Sequence, residues 1–96
     1  MIKHIVMMKL ADHGNVEIAG KIKGLLESLP PKIPAIKKIE VGVNFMDSPK
    51  AFDVVLVSEF ENEAELAVYA KHPAHLEVTT YIKSVATNVA SVDYHF

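Results

Sequence analysis

Apolar residues crowd Ile2 to Leu10 without helical spacing, and the run predicts a strand ending at Ala11-Asp12-His13-Gly14. Asn15 then has the chemistry of a helix N-cap, since its side-chain oxygen can accept an otherwise orphaned N–H. Ile18, Ile22, Leu25, Leu26 and Leu29 recur at steps of three and four, one apolar stripe of a helix that Pro30-Pro31 stops. Ile36 to Phe45 alternates, with Ile39, Val41, Val43 and Phe45 on one side. Met46-Asp47-Ser48-Pro49-Lys50 makes a turn or short loop, and Phe52 to Phe60 is a third strand, apolar on both faces at Val54-Val55-Leu56-Val57. Asn62 with Glu65 resembles a capping box ahead of a helix whose inner face is Leu66, Tyr69 and Ala70. Pro73 interrupts that helix and is suited to open a new one to about Ser84, with His75, Val78, Thr79 and Ile82 inward. A last strand covers Val89 to Tyr94.

The order βαββαβ predicts an α+β, ferredoxin-like fold. It is a single domain over residues 1–96, with a four-stranded antiparallel sheet and its helices on one face. The other face has a problem. Ile5, Met7, Val55, Val57, Val92 and Tyr94 point away from the helices and would be apolar and wet. At roughly 25 cal/mol per Å² of apolar surface, leaving them exposed forgoes several kcal/mol. Packing against the same face of a second copy solves it, so the pattern predicts a homodimer through sheet-to-sheet contact.

Composition sharpens this. The chain is 50% hydrophobic in 96 residues, and a domain of that size buries only roughly 60–65% of its unfolded surface. Net charge is −2 with no basic run beyond a loose cluster of Lys32, Lys37 and Lys38. No aromatic residues interleave with these lysines, so nucleic acid is not an expected partner. No apolar run is long enough to span a bilayer, and the start of the chain lacks the pattern of a signal peptide; the expected location is the cytoplasm. Without cysteine there are no disulfides, thiol nucleophiles or thiolate metal sites.

The densest chemistry is Tyr69-Ala70-Lys71-His72-Pro73-Ala74-His75. Strand alternation puts His4 on the face that holds Val6 and Met8, and Asp93 on the face that holds Val89 and Ser91. If both face the helices they approach His75 and Tyr69, and imidazole, phenol and carboxylate together can move a proton and polarise a carbonyl. Each has a plainer reading. His4 can be a strand residue with a satisfied hydrogen bond, and His72 a helix cap. Tyr69 can be a buried ring bonded to backbone, and Asp93 a solvated carboxylate. His75 is the strongest candidate because it holds an inward helical position where a polar group needs a partner. His72 and His75 are three apart, but the intervening proline and the lack of a third ligand argue against a metal site. Gly20 and Gly24 either bring the first helix close to the sheet or leave room for a ligand.

Lys3-His4-Ile5-Val6, Ile39-Glu40-Val41-Gly42-Val43-Asn44, Ser58-Glu59-Phe60-Glu61, His72-Pro73-Ala74-His75 and Val92-Asp93-Tyr94 together resemble the stress-responsive A/B barrel domain family (Dabb). The resemblance runs in order over nearly the whole chain, and His-Pro-Ala-His is its most specific part. It implies a dimeric α+β barrel of ferredoxin-like subunits. The chain is also similar to the family's plant polyketide cyclases, which close a linear polyketide by aldol condensation without a cofactor. That similarity implies His75 as the proton-abstracting base, Asp93 as the group holding its imidazole, and Tyr69 as donor to the carbonyl oxygen. His4 and His72 would line the pocket, and the ligand would be a small apolar carbonyl or phenolic compound. Val54 departs from the cyclases, which carry a polar residue there. Two other readings stand beside this one: a non-enzymatic stress-response protein whose barrel is structural or only binds a ligand, and a cofactorless monooxygenase.

Overall fold

A computed structural model describes all 96 residues. The elements run β1 (Ile2–Leu10), α1 (Val16–Glu27), β2 (Lys38–Val43), β3 (Val54–Phe60), α2 (Glu63–Lys71), α3 (Pro73–Val85) and β4 (Ala86–His95). The four strands form one antiparallel sheet in the order β2-β3-β1-β4. This is the expected ferredoxin-like arrangement.

Local chemistry sets the boundaries. Asn15 caps α1 by accepting from the N–H groups of Glu17 and Ile18, both at 3.0 Å. Asn62 caps α2 through Glu65 N–H at 2.9 Å. Pro73 occupies the first turn of α3, where its missing N–H costs nothing. β2 and β3 are shorter than the alternation suggests, because residues 44–53 peel away as a loop. β4 is longer and follows α3 directly at Ala86, with no turn residue between them. α1 ends at Glu27, yet Leu29, Ile33, Ala35 and Ile36 stay buried, so the segment after it continues the core without being helical. Ala70, expected on the inner face of α2, is exposed; Tyr69 alone of that helix is fully buried.

The core lies between the helices and one sheet face. Ile2, Met8 and Leu10 of β1 and Val54, Leu56 and Phe60 of β3 meet Ala19, Ile22 and Leu26 of α1 and Val78 and Ile82 of α3. Gly20 and Gly24 play neither expected role. Both are exposed, and a methyl group added at either would meet nothing within 4 Å. The opposite sheet face has no helix over it. Register aligns Met7 with Val55 and Ala90, and Ile5 with Val57 and Val92, in an apolar centre edged by Lys3, Lys9, Lys38, Glu40 and Glu59. Met7 is 41% and Val92 53% exposed. No helix is long and apolar enough to cross a membrane.

Candidate active site

A cavity of about 290 Å³ opens between the helices and the covered sheet face. His4, Val6 and Met8 of β1, Leu56 of β3, Tyr69 of α2, His75, Thr79 and Ile82 of α3, and Val89 and Ser91 of β4 contribute to its lining. The ring of His75 lies 4.3 Å from that of Tyr69, centre to centre, and the ring of His4 lies 6.0 Å from that of Tyr69. Phe60 backs the group at 5.0 Å from Tyr69.

The break at Pro73 wires the site. His72 ends α2, and its Nδ1 accepts the N–H of Ala74 at 3.1 Å, so the side chain is the N-cap of α3. His72 does not line the cavity; the expectation of a pocket role gives way to the cap. In an unbroken helix the N–H of Ala74 would go to the carbonyl of Ala70. Here that carbonyl accepts instead from the imidazole Nδ1–H of His75 at 3.1 Å. This fixes the tautomer and leaves Nε2 of His75 with a free lone pair.

Asp93 is not the group that orients His75. It sits directly opposite His4 in the β1–β4 register and is hydrogen-bonded to His4 Nδ1. That bond leaves Nε2 as the uncommitted nitrogen of His4, a cavity residue whose side chain is only 15% exposed. Asp93 itself stands outside the cavity, beside Ile2, Glu63 and Leu66.

Protonation follows from burial. His75 titrates below the usual histidine range, chiefly because burial disfavours the imidazolium and secondarily because charge on His4 and His72 opposes it; its bond to Ala70 works the other way. At neutral pH it is a neutral base. Burial pushes the Tyr69 phenol up to about 12, so it remains a proton donor. Its hydroxyl is buried and has no hydrogen-bond partner within the chain. A base with a free lone pair set beside an unpartnered phenol is suited to removing a proton next to a carbonyl while the phenol donates to the carbonyl oxygen.

A second polar cluster escaped sequence reasoning. The Asp53 carboxylate, at the entry to β3 and 4% exposed, accepts from Leu10 N–H and Gly14 N–H, both at 2.7 Å, and from His13 Nδ1 at 2.9 Å. Burial alone would raise its pKa; these bonds together hold it below the usual carboxylate value. They also pin the β1–α1 loop, where Gly14 takes a positive φ of 84°. Nothing near Asp53 in the sequence pointed to these partners, which lie about forty residues earlier. No three His, Asp or Glu side chains converge with metal-holding geometry.

The fold has solved counterparts. A dimeric protein of unknown function with a ferredoxin-like fold from Bacteroides fragilis is 38% identical, with a TM-score of 0.87, covering 99% of this chain and 95% of that one. A hydroxynitrile lyase from Passiflora edulis is 18% identical at a TM-score of 0.82, covering 97% and 90%. An antibiotic biosynthesis monooxygenase is 16% identical at a TM-score of 0.73, covering 100% and 98%. At these lower identities the likeness shows the fold alone. No curated protein matches by sequence. Residues 2–96 match the stress responsive A/B barrel domain. With the βαββαβ sheet and the His-Pro-Ala-His junction in place, the chain belongs to the stress responsive A/B barrel domain family.

Proposed function

We propose that this protein is a homodimer whose subunits each bind a small, largely apolar carbonyl or phenolic compound in the cavity and catalyse cofactor-independent proton transfer, as in an aldol-type cyclisation. One observation carries the reading: the buried hydroxyl of Tyr69 lacks a partner while lying beside a neutral His75 with a free Nε2. A buried orphan hydroxyl costs about 1–3 kcal/mol, a cost that a bound carbonyl oxygen would remove. His75 Nε2 takes the proton α to the carbonyl. Tyr69 donates to the oxygen as it gains charge, and His4, held by Asp93, is placed to return or relay a proton. The cavity lies at the lower end of ligand-pocket volumes, roughly 300–1,000 Å³, which suits a single-ring compound.

The dimer rests on the uncovered apolar sheet face and on the dimeric state named for the Bacteroides fragilis relative. Sedimentation at micromolar concentration tests it directly. For the chemistry, 4-hydroxyacetophenone in D₂O is a suitable probe. NMR should show deuterium entering its methyl group faster with the protein than without, and at the uncatalysed rate with His75→Ala. If His75→Ala exchanges as fast as the parent, the base is elsewhere; if it unfolds, the histidine serves the fold.

A further inference from the structure

The loop between β2 and β3, residues 44–53, holds Phe45 93% and Met46 56% exposed. It is nonetheless ordered by its own bonds. Asn44 N–H reaches the Asp53 carbonyl at 2.9 Å, and Asp53 N–H reaches the Met8 carbonyl at 2.8 Å. The Asn44 side chain holds both backbone groups of Met46, at 2.8 and 3.3 Å. Ala51 N–H closes a turn on the Ser48 carbonyl at 3.0 Å. A built arm that offers apolar side chains to water is a contact surface. At the opposite edge of the sheet, every residue of β4 from Thr87 onward is exposed, including Val89 and Ser91, which wall the cavity.

Two identical sheets packed face to face are related by a twofold axis running either along the strands or across them. An axis along the strands sets Ile5 over the partner's Val57, Met7 over the partner's Val55, Lys3 over the partner's Glu59, and Ala90 over the partner's Gly42. In the centre apolar meets apolar, Lys3 meets Glu59, and Ala90 meets Gly42; at the edge Val92 falls over the partner's Glu40, whereas an axis across the strands at Ile5 would set Glu40 on the partner's Glu40. An axis across the strands at Ile5 drops Lys3 onto the partner's Met7 and Glu59 onto the partner's Val55. Moved between Ile5 and Met7, it sets Lys3 against the partner's Lys9. The pattern selects the axis along the strands, which lays β2 of one subunit over β4 of the other.

Register then fixes where the arm arrives. It leaves the sheet after Val43, which pairs with Val54; Val54 pairs with Met8, and Met8 with Val89. All four stand at one level. We infer that Phe45 and Met46 of each subunit reach round the β4 edge of the other and complete its cavity beside Val89 and Ser91. The site is then enclosed only in the dimer, and the end of the ligand remote from Tyr69 and His75 is apolar. This rests on the pairing proposed above and goes beyond it in assigning the partner a place in each site.

The absence of cysteine makes a clean test. A chain carrying both Phe45→Cys and Val89→Cys should form a disulfide-linked dimer on mild oxidation, while each single variant stays uncross-linked. Phe45→Ser should remain a dimer by sedimentation yet raise the titration midpoint of the His75 imidazole, read by NMR, because the cavity mouth is opened to water. A parent that sediments as one subunit removes the pairing and the inference together. A dimeric parent whose double variant does not cross-link overturns the inference alone, as does cross-linking by Phe45→Cys on its own. Cross-linking with an unmoved His75 midpoint places the arm outside the site.

Discussion

Asp53 and Tyr69 bring polar atoms into the same small core, at 4% and 1% exposure, and the fold treats them in opposite ways. Asp53 accepts from two backbone N–H groups and an imidazole, which offset the cost of burying its charge. Tyr69 buries its hydroxyl with no bond at all, although Ala70 and His72 beside it have theirs satisfied. The contrast separates architecture from function. A buried polar group with every partner supplied by the chain holds the chain together, and one left unpartnered beside a cavity is available to something the chain does not supply.

That distinction can be broken in several ways. Asp53→Ala leaves the N–H groups of Leu10 and Gly14 without their acceptor. Urea unfolding should show a loss of about 2–5 kcal/mol; a loss below about 1 kcal/mol would mean the carboxylate anchors nothing. Tyr69→Phe should do the reverse, slowing exchange of the ketone probe about 10²-fold or more while leaving stability unchanged or raised by about 1 kcal/mol. Marked destabilisation by Tyr69→Phe would make the phenol architectural after all.

Acidification sharpens the comparison, because the two sites fail in different windows. His75 titrates lower in the folded chain than in the unfolded one. As pH falls below the ordinary histidine value of about 6.5, the unfolded state gains the proton first and stability drops. His75→Gln should flatten that first decline. Asp53, also lowered on folding, contributes stability that is present above its ordinary value and is lost only as pH falls below about 3.8. Asp53→Asn should flatten that second decline alone. The smallest effect is a control outside both sites: Gly20→Ala and Gly24→Ala, on the open side of α1, should each stabilise by about 0.5–1 kcal/mol without touching the exchange rate.

Much of this frame was legible in the sequence. Asn15 and Asn62 announce helix starts by chemistry local to them, Pro73 announces a break, and the alternation in β1 and β3 sorts two faces. Those signals act over a few residues. What escaped depends on register across many. Strand period placed His4 and Asp93 on one face, but only the β1–β4 alignment sets them directly opposite each other and so takes the carboxylate away from His75. Asp53 finds its partners some forty residues earlier, at the end of β1 and in the loop that follows it. Leu29 looked helical because an apolar stripe marks burial, and the chain buries it after the helix has ended.

Pro73 is easily taken for a mere joint between two helices. Its effect reaches into the cavity, because redirecting Ala74's N–H frees one main-chain oxygen, and that oxygen settles which nitrogen of the His75 ring carries the proton and which the lone pair. The directionality offered to a ligand, donor from the phenol and acceptor from the imidazole, is therefore encoded in the backbone. In a continuous helix the Ala70 oxygen would go to Ala74's N–H, and the imidazole would lose the bond that fixes its tautomer.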